Sequence, residues 1–234
     1  MMKLGYDRDT WETDAIKEPI KYNQKTHPSV LISGSSGSGK SVMLNYVMYH
    51  LEPCNLFFFD FKGDYKELEG CGHYKSGDEV IDALEKYHED FQSVRRGELE
   101  QHMQHILVIE YPALISYLDK KSAERMKAII QSLLMLGRGV RKGFGTWICC
   151  QRSDAALFPG GARNNFMITV HMGRATPEDW KMNFAGLEKP NRDYKCGQGF
   201  VWADGYEPRN LLVPRITNLD KLTEGVKNHL DGIW

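Results

Sequence analysis

The chain has 234 residues, 41% of them hydrophobic and 26% charged, with a formal net charge of −1, which suits one well-buried globular domain with a small appendage. The near-neutral balance excludes bulk attraction to nucleic acid, so such a contact must rest on a local basic patch or one assembled by oligomerisation. No apolar run approaches the roughly 20 residues of a membrane span, so insertion of this chain into a membrane is not expected.

Residues 1–27, opening MMKLGYDRDT, carry no secretory signal and read as a polar, aromatic-dotted lead-in, irregular and strapped onto the core. From Ser29 onward, short apolar runs alternate with segments of helical period. The runs SVLIS (29–33), NLFFFD (55–60), HILVIE (105–110), TWICCQ (146–151), FMITVHMG (166–173), GFVWAD (199–204) and NLLVP (210–214) read as strands buried on both faces. Helices are expected over 41–51, 78–96 and 120–139. In the last of these, Met126, Ile129, Ile130, Leu133, Leu134 and Leu136 make an apolar stripe closed by glycines. The acids of DEVIDALEKYHED fall on the polar face of the second. The early strand–helix alternation predicts an α/β fold with a mostly parallel sheet flanked by helices, and the closing strands an antiparallel C-terminal extension. The five cysteines show no metal-ligand spacing, and Cys149 and Cys150 read as buried core in a reducing cytosol, so a cytoplasmic location is expected. His102 and His105 have H-x-x-H spacing but lack a third ligand.

GSSGSGKS, Gly34 to Ser41, matches the P-loop pattern G-x-x-x-x-G-K-[ST] between an apolar strand and a helix. Glycines let the backbone wrap closely enough for its N–H groups to converge on a phosphate at a helix N-terminus. The expected ATP site is Gly34, Ser35, Ser36, Gly37, Ser38, Gly39, Lys40, Ser41 and Val42, with Lys40 on the β/γ oxygens and Ser41 a ligand of Mg2+. In HILVIEYPALI, Glu110 ends a strand where many such sites carry two consecutive acids. Two assignments fit this spacing. Either Glu110 replaces the magnesium-side Asp and holds the metal through water, or it activates water and the Asp is missing.

The downstream run EYPALISYLDKK, LLMLGRG and TWICCQRSD resembles the FtsK/SpoIIIE/HerA group of DNA-translocating ATPases, with FtsK-like proteins of mobile elements the most similar. That group typically shows D-E-[FY] at a strand end, then G-R at a helix end, then a strand ending Q-R-x-[DS]. FFFDFKG, ARNNFMITVHMGR, GQGFVWADG and EPRNLLVPRI resemble further motifs of the group, so the resemblance covers about residues 28–216. It implies a RecA-like P-loop NTPase core, with 28–234 as the motor domain. Aligned on D-E-[FY], Glu110 and Tyr111 match the Glu and the aromatic, making Glu110 the water-activating acid and the metal-side Asp absent.

The resemblance also implies a sensor role for Gln151, against the alternative of a strand-end amide bonded to backbone. Asp60 and Lys62 either support the metal or relay nucleotide state, or else form a solvated loop pair. Arg138, Arg152, Arg163 and Arg174 are candidates for an arginine acting across subunits, Arg163 and Arg174 first. Lys120 and Lys121, in the loop after the Glu110 strand, are candidates for DNA contact; the plainer reading is exposed lysines at a helix start. The implied function is an ATP-driven double-stranded DNA translocase working as a homohexameric ring. It would serve transfer, mobilisation or replication of a mobile element, with a relaxase, replication or membrane-channel partner that could hold it peripherally at a membrane. The alternatives are a nucleotide-binding scaffold with little turnover, a viral genome-packaging ATPase, and, more distantly, a small-molecule kinase.

Overall fold

The apolar runs lie side by side in the computed structural model, which describes residues 1–233. In chain order the elements are β1 (Met2–Asp7), α1 (Arg8–Asp14), β2 (Pro19–Tyr22), β3 (Val30–Gly34), α2 (Lys40–Tyr49), β4 (Asn55–Asp60), β5 (Tyr74–Ser76) and α3 (Glu79–Arg96). Then come β6 (His105–Ile109), α4 (Tyr111–Tyr117), α5 (Lys120–Leu136), β7 (Phe144–Cys149), β8 (Ile168–Met172), α6 (Pro177–Asn183), β9 (Gln198–Ala203), β10 (Arg209–Leu212) and α7 (Leu219–Leu230). The strands make one ten-stranded sheet in the order β2-β1-β10-β9-β8-β3-β7-β6-β4-β5. From β8 to β5 neighbours run parallel. From β8 outward through β9, β10, β1 and β2 they run antiparallel. This is the RecA-like P-loop architecture, an α/β core with an antiparallel extension.

Two apolar layers explain why the central strands read as continuous hydrophobic runs. On β6, Ile106 and Val108 enter the layer under α2 and α7, with Leu44, Val47 and Val226. Leu107 and Ile109 enter the opposite layer, with Phe91 of α3 and Ile130 and Leu133 of α5. Each such fully buried side chain contributes roughly 1.5–3 kcal/mol of transfer free energy. The α5 stripe is buried from Met126 to Leu134, whereas Leu136 is exposed where the helix tightens into a 3-10 turn at Gly137–Gly139.

Residues 1–27 are not irregular. β1 pairs with β10 through Tyr6 and Leu212, and β2 pairs with β1, so the lead-in joins the core as two further strands of the sheet. Met2 and Leu4 are fully buried. Arg209 on β10 binds Asp7 at 2.9 Å and also Glu18, which closes the outer strands electrostatically. Gln24 is buried, donates to the Gln104 side chain at 3.0 Å and accepts from the Glu52 N–H at 2.9 Å.

Candidate nucleotide site

Strand register gathers the singled-out residues at one edge. Ile32 pairs with Cys149, Ile148 with Ile109, and Ile109 with Phe59. Gly34, Gln151, Glu110 and Asp60 therefore emerge together at the carboxyl ends of parallel strands, the edge where open α/β sheets bind ligands.

The loop after β3 is built around an exposed helix start. Gly39 caps α2 at φ 96° without a side-chain hydrogen bond, leaving the first N–H groups of the helix directed outward. Only glycine fits there, because a Cβ would lie 2.8 Å from the Gly197 nitrogen. That nitrogen donates to the Ser38 carbonyl at 3.0 Å, so the turn before β9 braces the loop from outside. Lys40 folds back, its Nζ donating to the carbonyls of Gly34 at 2.6 Å and Ser35 at 2.8 Å. Burial lowers the Lys40 pKa, while nearby Cys149, Cys150 and Glu110 act to raise it. The Ser38 hydroxyl is buried without a hydrogen-bond partner in the protein, and Ser35, Ser36, Gly37, Ser41 and Val42 are exposed.

These features fit a nucleotide's phosphates: an uncapped helix start, an orphaned hydroxyl and an ammonium resting on carbonyl dipoles. For magnesium, the hard oxygen donors at hand are the Ser41 hydroxyl and the Glu110 carboxylate. No cluster of three His, Cys, Asp or Glu side chains suited to a metal occurs among the described residues, so phosphate and water must complete such a shell.

Glu110 starts α4 and is 8% exposed. Its Oε2 lies 3.0 Å from Lys62 Nζ. Burial raises its carboxyl above the ordinary range, and Lys62 opposes that rise. Asp60 is fully buried, so the solvated-pair reading fails for it. Its oxygens accept from the Gly63 and Tyr65 N–H groups at 3.1 and 3.0 Å and from the Tyr74 hydroxyl at 2.9 Å. Those bonds shape the β4–β5 connection and place Tyr65 with its hydroxyl beside Ser41. Tyr111 turns into the α5 layer, where its hydroxyl donates to the Leu157 carbonyl at 3.2 Å.

The Gln151 carbonyl accepts from the Gly34 N–H at 3.3 Å, whereas its side chain is exposed. Arg152 faces Asp154 at 3.7 Å. Arg163 is half-buried and donates to the Ser153 carbonyl at 3.3 Å. Arg174 is exposed just beyond β8, and Arg138 lies in the turn leading into the opposite end of β7. Lys120 and Lys121 are exposed on the first turn of α5, capped by Asp119.

Sequence reasoning missed a buried polar chain beside the cradle. Asn183 of α6 donates through Nδ2 to Ser33 Oγ at 3.1 Å and accepts at Oδ1 from Ser153 Oγ at 2.6 Å. Ser33 Oγ also lies 3.0 Å from His171 Nδ1 of β8. All four side chains are buried, and burial lowers the His171 pKa. The available signal was Ser33 closing the run SVLIS and His171 within the run FMITVHMG.

No family model matches the chain. By sequence it is 26% identical over 125 residues to the FtsK domain-containing protein YdcQ of Bacillus subtilis (strain 168), covering 53% of this chain and 26% of that protein's length. Among solved structures, the pCW3 conjugation coupling protein TcpA with ATPγS superposes with a TM-score of 0.69 at 19% identity, over 89% of this chain and 66% of that one. ATPases 2 and 3 of EssC from Geobacillus thermodenitrificans give 0.68 at 14% identity, over 98% and 47%. The genome-packaging NTPase B204 of Sulfolobus turreted icosahedral virus 2, with ATPγS, gives 0.54 at 14% identity, over 80% and 98%. The chain thus shares the fold of these P-loop ATPases and resembles FtsK-type proteins in sequence.

Proposed function

We propose that this chain is an FtsK-type ATPase motor that binds ATP in the Gly34–Val42 cradle and uses Glu110 as the water-activating acid. Its motor domain is taken as residues 28–234, with 1–27 as an N-terminal segment. The observation carrying this reading is the convergence of Lys40, Glu110 and Gln151 on one sheet edge. Lys40 moves from the Gly34 and Ser35 carbonyls to the β/γ oxygens, exchanging neutral acceptors for charged ones. Glu110 takes the proton of the attacking water, and a carboxyl raised by burial is the stronger acceptor. With Tyr111 turned into the core, Glu110 is the acid facing the cradle. The exposed Gln151 amide orients the water. Magnesium, held by Ser41 with phosphate and water completing its shell, would neutralise charge on the β- and γ-phosphates.

The motor acts on double-stranded DNA as a hexameric ring. Lys120 and Lys121 stand at a helix N-terminus, where the macrodipole disfavours cations, so they gain from a phosphate partner. Arg174, exposed and without an ion pair among the described residues, suits contact with a neighbouring subunit's nucleotide better than Arg163, which its own chain holds. The setting we favour is mobile-element transfer, by likeness to a conjugation coupling protein. Genome packaging is the second reading, favoured by the match over nearly all of B204.

The test is ATP hydrolysis with and without duplex DNA, beside native mass measurement. DNA-stimulated turnover by a nucleotide-dependent hexamer, abolished in Lys40→Ala, is expected. Tight nucleotide binding with no turnover would establish the scaffold instead. Phosphate transfer to a small acceptor by a monomer would make it a kinase.

A further inference from the structure

The buried chain Ser33–Asn183–Ser153 joins the two segments that flank the nucleotide site. Ser33 immediately precedes Gly34, the first residue of the cradle, and Ser153 lies two residues beyond Gln151. Between them stands Asn183, which serves as donor at one end and acceptor at the other. Neither an apolar side chain nor a carboxylate can do both. The Ser33 hydroxyl has a single proton, and its hydrogen bond to the Val170 carbonyl at 3.1 Å uses it. Its oxygen then accepts from Asn183, and from His171 if Nδ1 carries that ring's proton. The hand of every bond from Ser153 to the cradle strand is thereby fixed.

Ser153 is also the inward anchor of an otherwise exposed stretch. Gln151, Arg152, Asp154, Ala155 and Ala156 are all exposed, whereas Ser153 is fully buried. Its carbonyl holds the Arg163 guanidinium at 3.3 Å, so the same residue sets both the start of the segment and the arginine at its far end. A hydrogen bond adds only about 1 kcal/mol net to stability. A polar chain spanning separate elements is better suited to fixing relative position than to holding the fold together.

Resting on the ATPase reading above, we propose that Asn183 and Ser153 are positioning residues. Through Ser33 they couple occupancy of the phosphate cradle to the placement of Gln151 and Arg163. Both are buried, and they act by keeping the Gln151 segment in step with the end of β3. A misplacement on the order of 1 Å there costs about a hundredfold in rate when a reacting group is involved.

The test uses the full chain carrying Ser153→Ala, Asn183→Ala or both, with Ser33→Ala as an independent variant at the other end. Three quantities are measured: ATPγS affinity, kcat, and tryptic cleavage at Arg152 and Arg163 with and without ATPγS. Affinity is expected to stay within about threefold while kcat falls about tenfold or more. The double variant should be no worse than the poorer single one. Nucleotide is expected to protect both arginines in the parent chain and to lose that effect in each variant. Ser33→Ala should reproduce the pattern even if Asn183→Ala does not fold. Wild-type kcat and wild-type protection in folded Ser153→Ala and Ser33→Ala would overturn the proposal. So would losses that add across the double variant and track the fall in Tm. A parent chain without turnover would defeat the ATPase reading alone, because the protection pattern still decides the linkage.

Discussion

The Glu110 carboxylate is held by two opposed effects: burial, which raises its pKa, and the Lys62 ammonium at 3.0 Å, which lowers it. As the water-activating base it works ionised, so turnover falls as pH drops through its raised pKa. Replacing Lys62 with Met removes the lowering influence, and the acid limb of kcat/KM is expected to move to higher pH, as a pH–rate profile will read. Glu110→Gln is expected to lose about 10²-fold or more in kcat while ATPγS binding persists. The same substitution has a stability signature. A folded-state pKa above the unfolded one means that this group's stabilising contribution is present at low pH and lost as pH rises through the folded value. Glu110→Gln should therefore melt above the parent chain at pH 8, with the difference closing toward pH 4. A melting curve unchanged at both pH values would show that burial does not strain this carboxylate.

The elements that were legible in sequence are those whose physics is local. The strands from β3 to β10, apart from β5, follow from apolar runs that two helical layers must cover, and the cradle follows from glycine spacing. β5 has only Tyr74–Ser76 and no apolar run to betray it. β1 was hidden because a register shift between Lys3 and Gly5 breaks its alternation, and β2 because it has only the four residues Pro19–Tyr22. Helix α7 did carry a signal, Leu222, Val226 and Leu230 four residues apart, inside a tail otherwise rich in charge. The Asn183 linkage was out of reach, since its partners lie 150 and 30 residues away in sequence. For the cradle itself, Gly39→Ala tests the local reasoning. Its φ of 96° and the 2.8 Å approach to Gly197 predict a cost of about 1–2 kcal/mol. Displacement of the α2 start should weaken ATPγS binding about tenfold or more, measurable by titration calorimetry.

At the scale of the whole molecule, a net charge of −1 makes DNA binding a matter of where cations gather. If Lys120 and Lys121 meet phosphates, charge reversal at both should flatten the slope of log K against log salt. The expected change is about 1.8 per participating subunit, readable by fluorescence anisotropy across a salt series. An unchanged slope would remove these lysines from the interface. The sheet carries a different lesson in its pairing of β1 with β10. Of this sheet's strands β1 is synthesised first and must wait for β10, whose Leu211 shares the apolar layer of Met2 and Leu4. The parallel strands that frame the cradle are all synthesised before that closure. Assembly of this sheet therefore finishes by joining the two neighbouring strands that lie farthest apart in sequence.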